Sequence, residues 1–589
     1  MTDFTRTLVL SLATFLPGAF APLPASAACG EAATPIHTIQ GSGPQSPRAG
    51  DTLAVEGILT RDARYPGGFD GFYLQQADAE TDNNPATSEA LFIYTRKNTG
   101  EPGQRLRVTG TIKEYHGLTE MASVDNIQVC GKGRMPEPIE LTLPWPQNPE
   151  SLENMRVRFV GPLTVVEHYN LAVYGEVTLA AGDQITATEY LAPGPEAFAR
   201  GIRNRQQRVT LDDGSGTRNP KPVPWPPGGL SRSNSVRAGD TVSELTGILD
   251  YRFGQWRLQP IGTPQFNTTN PRPSAPAPPA DKTVRVMALN LQNFFNGNGR
   301  GGGFPTDRGA QSAEQFRIQS QRLATTIKQA APDILAVSEL ENDGYGEHSA
   351  IADLARTLGQ HWHFSATPGE DGSDAIRSAL LYRSDRVIAV GSAHRLQSGT
   401  FARQSRPPVA QLFRMAQDEE SQALRVVAPH LKSKSCRNAG VANADQNDGQ
   451  GCFNQRRTRE AETILDWVSA FPKDNNLAGT LIAGDLNSYA REEPLRRFEA
   501  AGYRSLVHHF HPCTPEACQQ HSYRFKGEKG SLDYLLASEA LLPQVAKARA
   551  WNINADEPRA LSYQQMSGNN TPWRVSDHNP VITDIRLIE

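Results

Sequence analysis

Beyond residue 20 the chain has no apolar run long enough to cross a bilayer, which argues against a membrane-spanning mature protein. It also lacks an excess of either charge. Lys and Arg number 59 and Asp and Glu 63, for a net charge of −4, so any surface that binds anions must be local. Cysteine is scarce, with six in 589 residues and no Cys-x-x-Cys pair, which argues against a zinc-ribbon or dithiol redox centre. Hydrophobic residues at 38% and charged residues at 21% describe an ordinary soluble globular chain. Glycine (50) and proline (43) are abundant, so many turns and at least one linker are expected.

The N-terminus reads as an export signal. Arg6 supplies the charge, Leu8 to Phe20 the short apolar stretch, and Ala25-Ser26-Ala27 a small-residue cleavage site. A secreted, extracellular or periplasmic location is therefore expected. Ser26-Ala27-Ala28-Cys29 lacks the leading Leu of a lipoprotein box, so no lipid anchor is assigned. An even number of cysteines in an exported chain suits disulfides. The simplest connectivity joins neighbours: Cys29 with Cys130, Cys436 with Cys452, and Cys513 with Cys518.

A chain of this length divides into several domains. Residues 1–27 form the signal. Residues 28–135 alternate short β-type runs (Thr52–Thr60, Gly71–Gln75, Ala90–Tyr94, Leu106–Ile112) with glycine bends, the pattern of a small OB-like barrel. A repeat follows. Arg48-Ala-Gly-Asp-Thr52 recurs as Arg237-Ala-Gly-Asp-Thr241, and Phe72-Tyr-Leu-Gln75 is echoed by Trp256-Arg-Leu-Gln259. Residues 136–266 are accordingly read as a second β domain related to the first; one larger β domain is the alternative. The Pro-rich stretch 267–282 reads as a stiff linker that leaves the catalytic unit, 283–589, with its own core. In that unit strands alternate with helices. Ser312-Ala-Glu-Gln315 opens one helix with capping-box chemistry, and others are expected near Ile351–Leu358 and Asn454–Ala470.

Polar residues punctuate the ends of apolar runs in this unit, where α/β sheets carry their chemistry. They are Asn290, Glu339, His430 with Lys432 and Lys434, Asp485 with Asn487, Asp533, and Asp577-His578. Carboxylates, amides and imidazoles in this mixture suit a hard divalent cation beside acid/base groups. Glu339 is the strongest metal ligand, with Asn290 and Asp577 completing the set. Asp485 and Asn487, two apart, can face one way on extended chain and hold a water and a phosphate.

The order of these residues resembles the endonuclease/exonuclease/phosphatase (DNase I-like) superfamily. Glu339-Leu-Glu-Asn-Asp-Gly344, Gly372-Ser-Asp-Ala-Ile-Arg377, His430-Leu-Lys-Ser-Lys434 and Gly530-Ser-Leu-Asp-Tyr-Leu-Leu-Ala-Ser538 resemble its bacterial extracellular nuclease branch, in which an OB-like domain precedes the nuclease. The resemblance implies a four-layer α/β sandwich for residues 283–589. It also implies a metal-dependent phosphodiesterase acting on DNA, with RNA as a further substrate, and Asp533 supporting His578. Mg2+ or Mn2+ is the expected cofactor, with a structural Ca2+ as a further one, and a monomer is expected. Arg377, Lys432 and Lys434 are expected phosphate contacts, as are Arg456, Arg457 and Arg459, for which a solvated helix face is equally expected. His430 is expected to protonate the leaving oxygen or steady phosphate charge, and the general base stays open between His578 and Asp485. Phe72, Tyr73, Phe92 and Tyr94 are candidates for stacking bases, with alternate members belonging to the core. The alternative activity is hydrolysis of lipid or sugar phosphates, as in sphingomyelinases. That alternative calls for an exposed aromatic hairpin near the site, and the sequence shows none. A binding protein on a dead scaffold would require loss of Glu339, Asp485 or His578, all of which are present.

Overall fold

The strand Thr283–Phe294 is apolar on both sides and is buried on both sides. In the computed structural model, which describes residues 28–297, 302–369, 372–402, 406–418, 420–472, 475–565 and 571–587, its side chains alternate between two cores. The export signal lies outside the described residues. Val284, Val286 and Ala288 enter one core, while Met287, Leu289 and Leu291 enter another. That alternation follows from the two-residue period of a strand. The first core fills the space between two six-stranded sheets. One carries Thr283–Phe294 and Ile334–Glu341 at its centre; the other carries Ala423–Ala428, Leu477–Asp485 and Asp533–Ser538. Helices cover the outer faces. Ala313–Ala330 and Ala350–Leu358 pack on the first sheet, and Asn454–Ser469 and Glu493–Ala500 on the second, giving four layers. Ser312 caps the first of these helices by accepting from the Gln315 amide at 3.2 Å.

Near the N-terminus, β1 (Thr52–Asp62), β2 (Gly71–Gln75), β3 (Ala90–Tyr94), β4 (Gln104–Tyr115) and β5 (Leu118–Lys132) close a barrel in the order β1-β2-β3-β5-β4. Only β3 and β5 run parallel within it. Three of the four expected stacking aromatics are not on its surface. Phe72 belongs to the barrel core, and Tyr73 and Phe92 pack with Ile248 of the following region. The Tyr73 hydroxyl donates to Asp250 at 2.6 Å, so this outer face is already covered. Tyr94 remains exposed.

The following region is built on one nine-stranded sheet that runs from Ile139–Leu141 to Gln265–Asn267. The expected linker therefore begins inside a strand, and it is not a free spacer. Asp240 accepts from the amides of Thr269 and Asn270, both at 3.0 Å. Asn270 donates to Asp556 at 2.8 Å, and Arg272 grips both oxygens of Glu557 at 2.7 Å. Proline keeps this stretch out of a sheet, but side chains on either side fasten it to both halves. A second junction is a small sheet in which Gln184–Ile185 pairs in parallel with Glu528–Gly530, which pairs in turn with Tyr523–Phe525. The three expected disulfides are present. No helix among the described residues is long and apolar enough to cross a membrane.

Candidate active site

The topology brings the predicted residues to one end of the sandwich. Thr283–Phe294 and Ile334–Glu341 run parallel and deliver Asn290 and Glu339 to the same edge. Val581–Arg586 runs antiparallel to the first, so Asp577 and His578, just before its start, arrive there too. In the second sheet Asp485 ends one strand and lies opposite Asp533, the first residue of its antiparallel neighbour. His430 follows Ala423–Ala428 and bridges to Asp485. Two hydrogen bonds then join the sheets across this edge. His578 Nδ1 pairs with Asp533 Oδ2 at 2.7 Å, and Asn290 Nδ2 donates to Asp485 Oδ2 at 3.1 Å.

Local backbone geometry re-aims several of these groups. Glu339 has φ of 58°, in the left-handed region that costs a residue with a Cβ about 1 kcal/mol. The pairing register slips around it on both sides. Such a bulge turns a side chain out of the sheet's alternation and is typical beside active sites. Asn487, at φ 47°, is the second case. Its amide donates to Asp485 Oδ1 at 2.8 Å and its side chain to the Leu431 carbonyl at 3.1 Å. Asn487 therefore fixes Asp485 rather than standing beside it as an equal.

Electrostatics separate the groups. Burial pushes the Asp485 carboxyl up to about 7, against the pull of His578, with Asp533 adding to the rise. Burial alone would discharge His578, but Asp533, Asp485 and Asp577 outweigh it and hold the imidazole well above its usual value. His430 goes the other way: burial and Arg406 keep it neutral. Arg406 Nη1 lies 2.9 Å from His430 Nε2, and a guanidinium can only donate, so the ring proton sits on Nδ1. Ring atoms of His578 and carboxylate oxygens of Asp485 and Asp533 lie within 4.8 Å of one another. The short His578–Asp533 hydrogen bond marks this trio as an acid/base group rather than a cation cage.

Glu339 and Asp577 have the character of a cation site. Burial, then the Asp577 charge, raises the Glu339 carboxyl. Glu339 accepts from the Asn293 amide at 3.0 Å, and among the described residues no lysine or arginine pairs with it or with Asp577. Two neighbouring carboxylates with Asn290 beside them supply hard oxygen donors; Arg406, His578 and Arg574 act on them through space, and among the described residues none of these three forms an ion pair with Glu339 or Asp577. That set fits Mg2+ or Mn2+, which bind through few carboxylates and keep several waters.

The basic residues are mostly elsewhere. Arg377 is fully buried, donates to the Gly344 carbonyl at 2.5 Å and lies 4.3 Å from the Tyr345 ring centre, so it braces the loop after Glu339. Lys434 reaches Glu492 at 2.5 and 2.6 Å, and its ammonium is pulled down to about 8 by burial, with Glu492 opposing. Arg457 is buried against Ser488 and the carbonyls of Gln450 and Cys452. Lys432 stands over the Phe453 ring at 4.8 Å and is half-buried, and Arg456 pairs with Glu460. Arg459 is exposed. A like-signed run in sequence does not reveal the carboxylates that meet it in the fold.

Two site residues were missed. Arg406 has no sequence signal beyond standing before Pro407-Pro408. Tyr523 lies 4.5 Å from the His578 ring and begins a hairpin whose next outward aromatic, Phe525, is 54% exposed. Tyr523 and Phe525, two apart on a strand, hold nearly parallel rings 6.5 Å apart. An aromatic hairpin therefore does border the site, contrary to the sequence reading; its Tyr-x-Phe alternation was the available signal.

A model described as "Endonuclease/Exonuclease/phosphatase family" matches residues 287–578, from three residues before Asn290 to His578 itself. A second, "Domain of unknown function (DUF8508)", matches residues 148–269. No curated protein matches the chain. Among solved structures, the human Nocturnin catalytic domain with bound sulfate is 15% identical, covers 52% of this chain and 95% of its own, and has a TM-score of 0.34. An endonuclease/exonuclease/phosphatase from Bacteroides vulgatus gives 12%, 52%, 99% and 0.34. A mannosyl-6-phosphatase of Bacteroides thetaiotaomicron gives 13%, 51%, 98% and 0.33. Residues 287–578, which hold every residue of the site, are a domain of the endonuclease/exonuclease/phosphatase family.

Proposed function

We propose that this protein is an exported, metal-dependent nuclease that hydrolyses phosphodiester bonds of DNA, and of RNA where the chain is accessible. The observation that carries the reading is the pair of hydrogen bonds closing the two sheets over one edge, with Glu339 and Asp577 beside it. Hydrolysis needs a water deprotonated, charge neutralised on the phosphate, and a proton for the leaving oxygen. Asp485 and the His578–Asp533 pair are the proton-handling groups. Asp533 fixes the Nδ1 side of the ring, which leaves Nε2 for the reacting atoms. Arg406, oriented by its hydrogen bond to Nε2 of the neutral His430, supplies positive charge for the phosphate. Glu339, Asp577 and Asn290 would hold Mg2+ or Mn2+, which would supply Lewis-acid stabilisation of the phosphate oxygens.

Nucleic acid is favoured as substrate by the Tyr523–Phe525 hairpin, whose parallel rings suit stacking of an unpaired base. A lipid phosphate is the second reading, favoured by the exposure of Phe525. The barrel's strand order suits an OB-like module that positions the strand, and the N-terminal signal supports export. The test is the full mature protein on supercoiled plasmid, single-stranded DNA, RNA and sphingomyelin vesicles, with Mg2+ and with EDTA. Chelator-sensitive cleavage of DNA is expected, and Glu339→Gln should cost roughly a thousandfold in rate, about 4 kcal/mol. Cleavage of sphingomyelin alone, or full activity in excess EDTA, would overturn the reading.

A further inference from the structure

A second set of metal-type ligands lies in the barrel, far along the chain from the catalytic residues. His37 stands on the short helix Ile36–Gln40, whose Ile36 and Ile39 enter the barrel core. Asp82 and Glu89 stand at the two ends of the loop that leads into β3. His37 Nδ1 lies 3.4 Å from Glu89 Oε2 and 3.9 Å from Asp82 Oδ2, and the three ligand atoms lie within 4.8 Å of one another. Two donors each about 2.1 Å from a tetrahedral ion stand about 3.4 Å apart, so this spacing is that of ligands around a cation.

The individual atoms point the same way. His37 Nδ1 and Glu89 Oε2 are both buried and neither makes a hydrogen bond. Glu89 is only 4% exposed, and its Oε2 meets His37 Nδ1 at 3.4 Å without a hydrogen bond, so a charged oxygen there is costly. Burial raises its carboxyl above the usual range. Among the described residues no lysine or arginine pairs with Asp82 or Glu89.

The remaining oxygens are held in place. Glu89 Oε1 accepts from the Asp82 amide at 2.8 Å, and Asp82 Oδ1 accepts from the Asn84 amide at 2.8 Å. Thr87 Oγ1 reaches both Asp82 oxygens, Oδ1 at 3.3 Å and the His37-facing Oδ2 at 3.1 Å. These outer contacts orient the carboxylates, as partners around metal sites do. Asp82 and His37 keep some solvent exposure, which leaves room for a water ligand.

We propose that His37 Nδ1, Asp82 and Glu89 bind one divalent cation of the zinc type, clamping the helix Ile36–Gln40 to the loop before β3. The imidazole selects a borderline transition ion over Mg2+ or Ca2+, which prefer all-oxygen sites.

The test uses the full chain carrying Glu339→Gln and Asp577→Asn, so that zinc at the catalytic edge is removed from the count. After EDTA dialysis, Zn2+ alone is titrated by calorimetry, and bound zinc is measured after equilibrium dialysis. One zinc per chain is expected. Adding Glu89→Gln should weaken it at least a hundredfold, and adding His37→Asn instead should do the same without disturbing the far-UV spectrum, since His37 is partly exposed. Folded His37→Asn protein that still binds one zinc with unchanged affinity would overturn the proposal. So would the absence of zinc binding by the parent at micromolar concentration.

Discussion

The same pentapeptide, Arg-Ala-Gly-Asp-Thr, makes the same turn twice and serves two different ends. In both copies the Asp amide donates to the Arg carbonyl at 3.0 Å, and Gly50 and Gly239 take nearly equal φ of 96° and 93°. In the barrel copy Arg48 pairs with Asp51 at the surface, with the two side chains 39% and 49% exposed. In the second copy Arg237 is buried, pairs with Glu557 and donates to the Asn552 carbonyl of the catalytic domain. Its Asp240 holds the chain as it enters the Pro-rich segment. One copy finishes a barrel; the other anchors a sheet to an enzyme.

The difference extends beyond the motif. From the nine-stranded region, Asp183 pairs with Arg524 and Lys529, Asn204 donates to Glu528, and Glu189 pairs with His508. Three of these four catalytic-domain residues lie in the hairpin that begins at Tyr523, against the His578 ring. The barrel instead contacts the nine-stranded region, through Tyr73–Asp250 and Ser88–Glu153 among others. The nine-stranded region is thus placed to support the active site, and the barrel to act through it. A catalytic unit that keeps its chemistry when cut free near residue 282, as the linker's composition suggests, does not follow from this arrangement.

Matched substitutions separate the two copies. Arg237→Ala should cost about 3 kcal/mol in denaturant unfolding, because it leaves part of a buried carboxylate pair unmatched, whereas Arg48→Ala should cost under about 0.5 kcal/mol. Equal costs would show that the second copy is no anchor.

Asp183 ties the nine-stranded region to the catalytic domain in a pH-dependent way. Its carboxyl is held down at about 2; burial opposes this, and Arg524 and Lys529 outweigh burial. A group whose folded value is below its unfolded value of 3.8 stabilises the fold above that value. The contribution, about 2 kcal/mol, is therefore complete at neutral pH and is lost as pH falls from about 5 toward 2. Asp183→Asn should lower stability at pH 7 by that amount and make the variant less sensitive to acid over that window. An unchanged difference between the two proteins from pH 7 to pH 2.5 would contradict it.

A smaller effect separates the aromatic surfaces. Phe525→Ala should raise KM for single-stranded DNA about tenfold, while Tyr94→Ala on the barrel should shift it less than threefold. The reverse order in steady-state kinetics would return base recognition to the barrel.

Much of the catalytic half was legible because its signals are local. Ser312 and Gln315 announce a helix, and runs such as Val284 to Leu289 announce strands buried on both faces. Polar residues ending those runs named the site from Asn290 to His578. What the sequence hid was partnership at a distance. Lys434 looks like a phosphate ligand until Glu492 arrives, and nothing near Asp183 mentions Arg524, 341 residues away. Tyr73 and Phe92 look like a stacking surface because alternation, which consigns Phe72 to the barrel core, does not say which outer face another region will cover.

The most direct test of the claim that the nine-stranded region helps build the active site is the kinetics of Arg524→Ala in the full chain with Mg2+ and plasmid DNA. Arg524 touches Asp183 and Asp556 and takes no part in the chemistry, but it fixes the hairpin that carries Tyr523. In that variant kcat should fall roughly a hundredfold, with KM rising no more than the tenfold expected from losing Phe525, the signature of misplaced reacting groups. A folded variant with full kcat and a raised KM would contradict it, and would make the nine-stranded region a binding surface only.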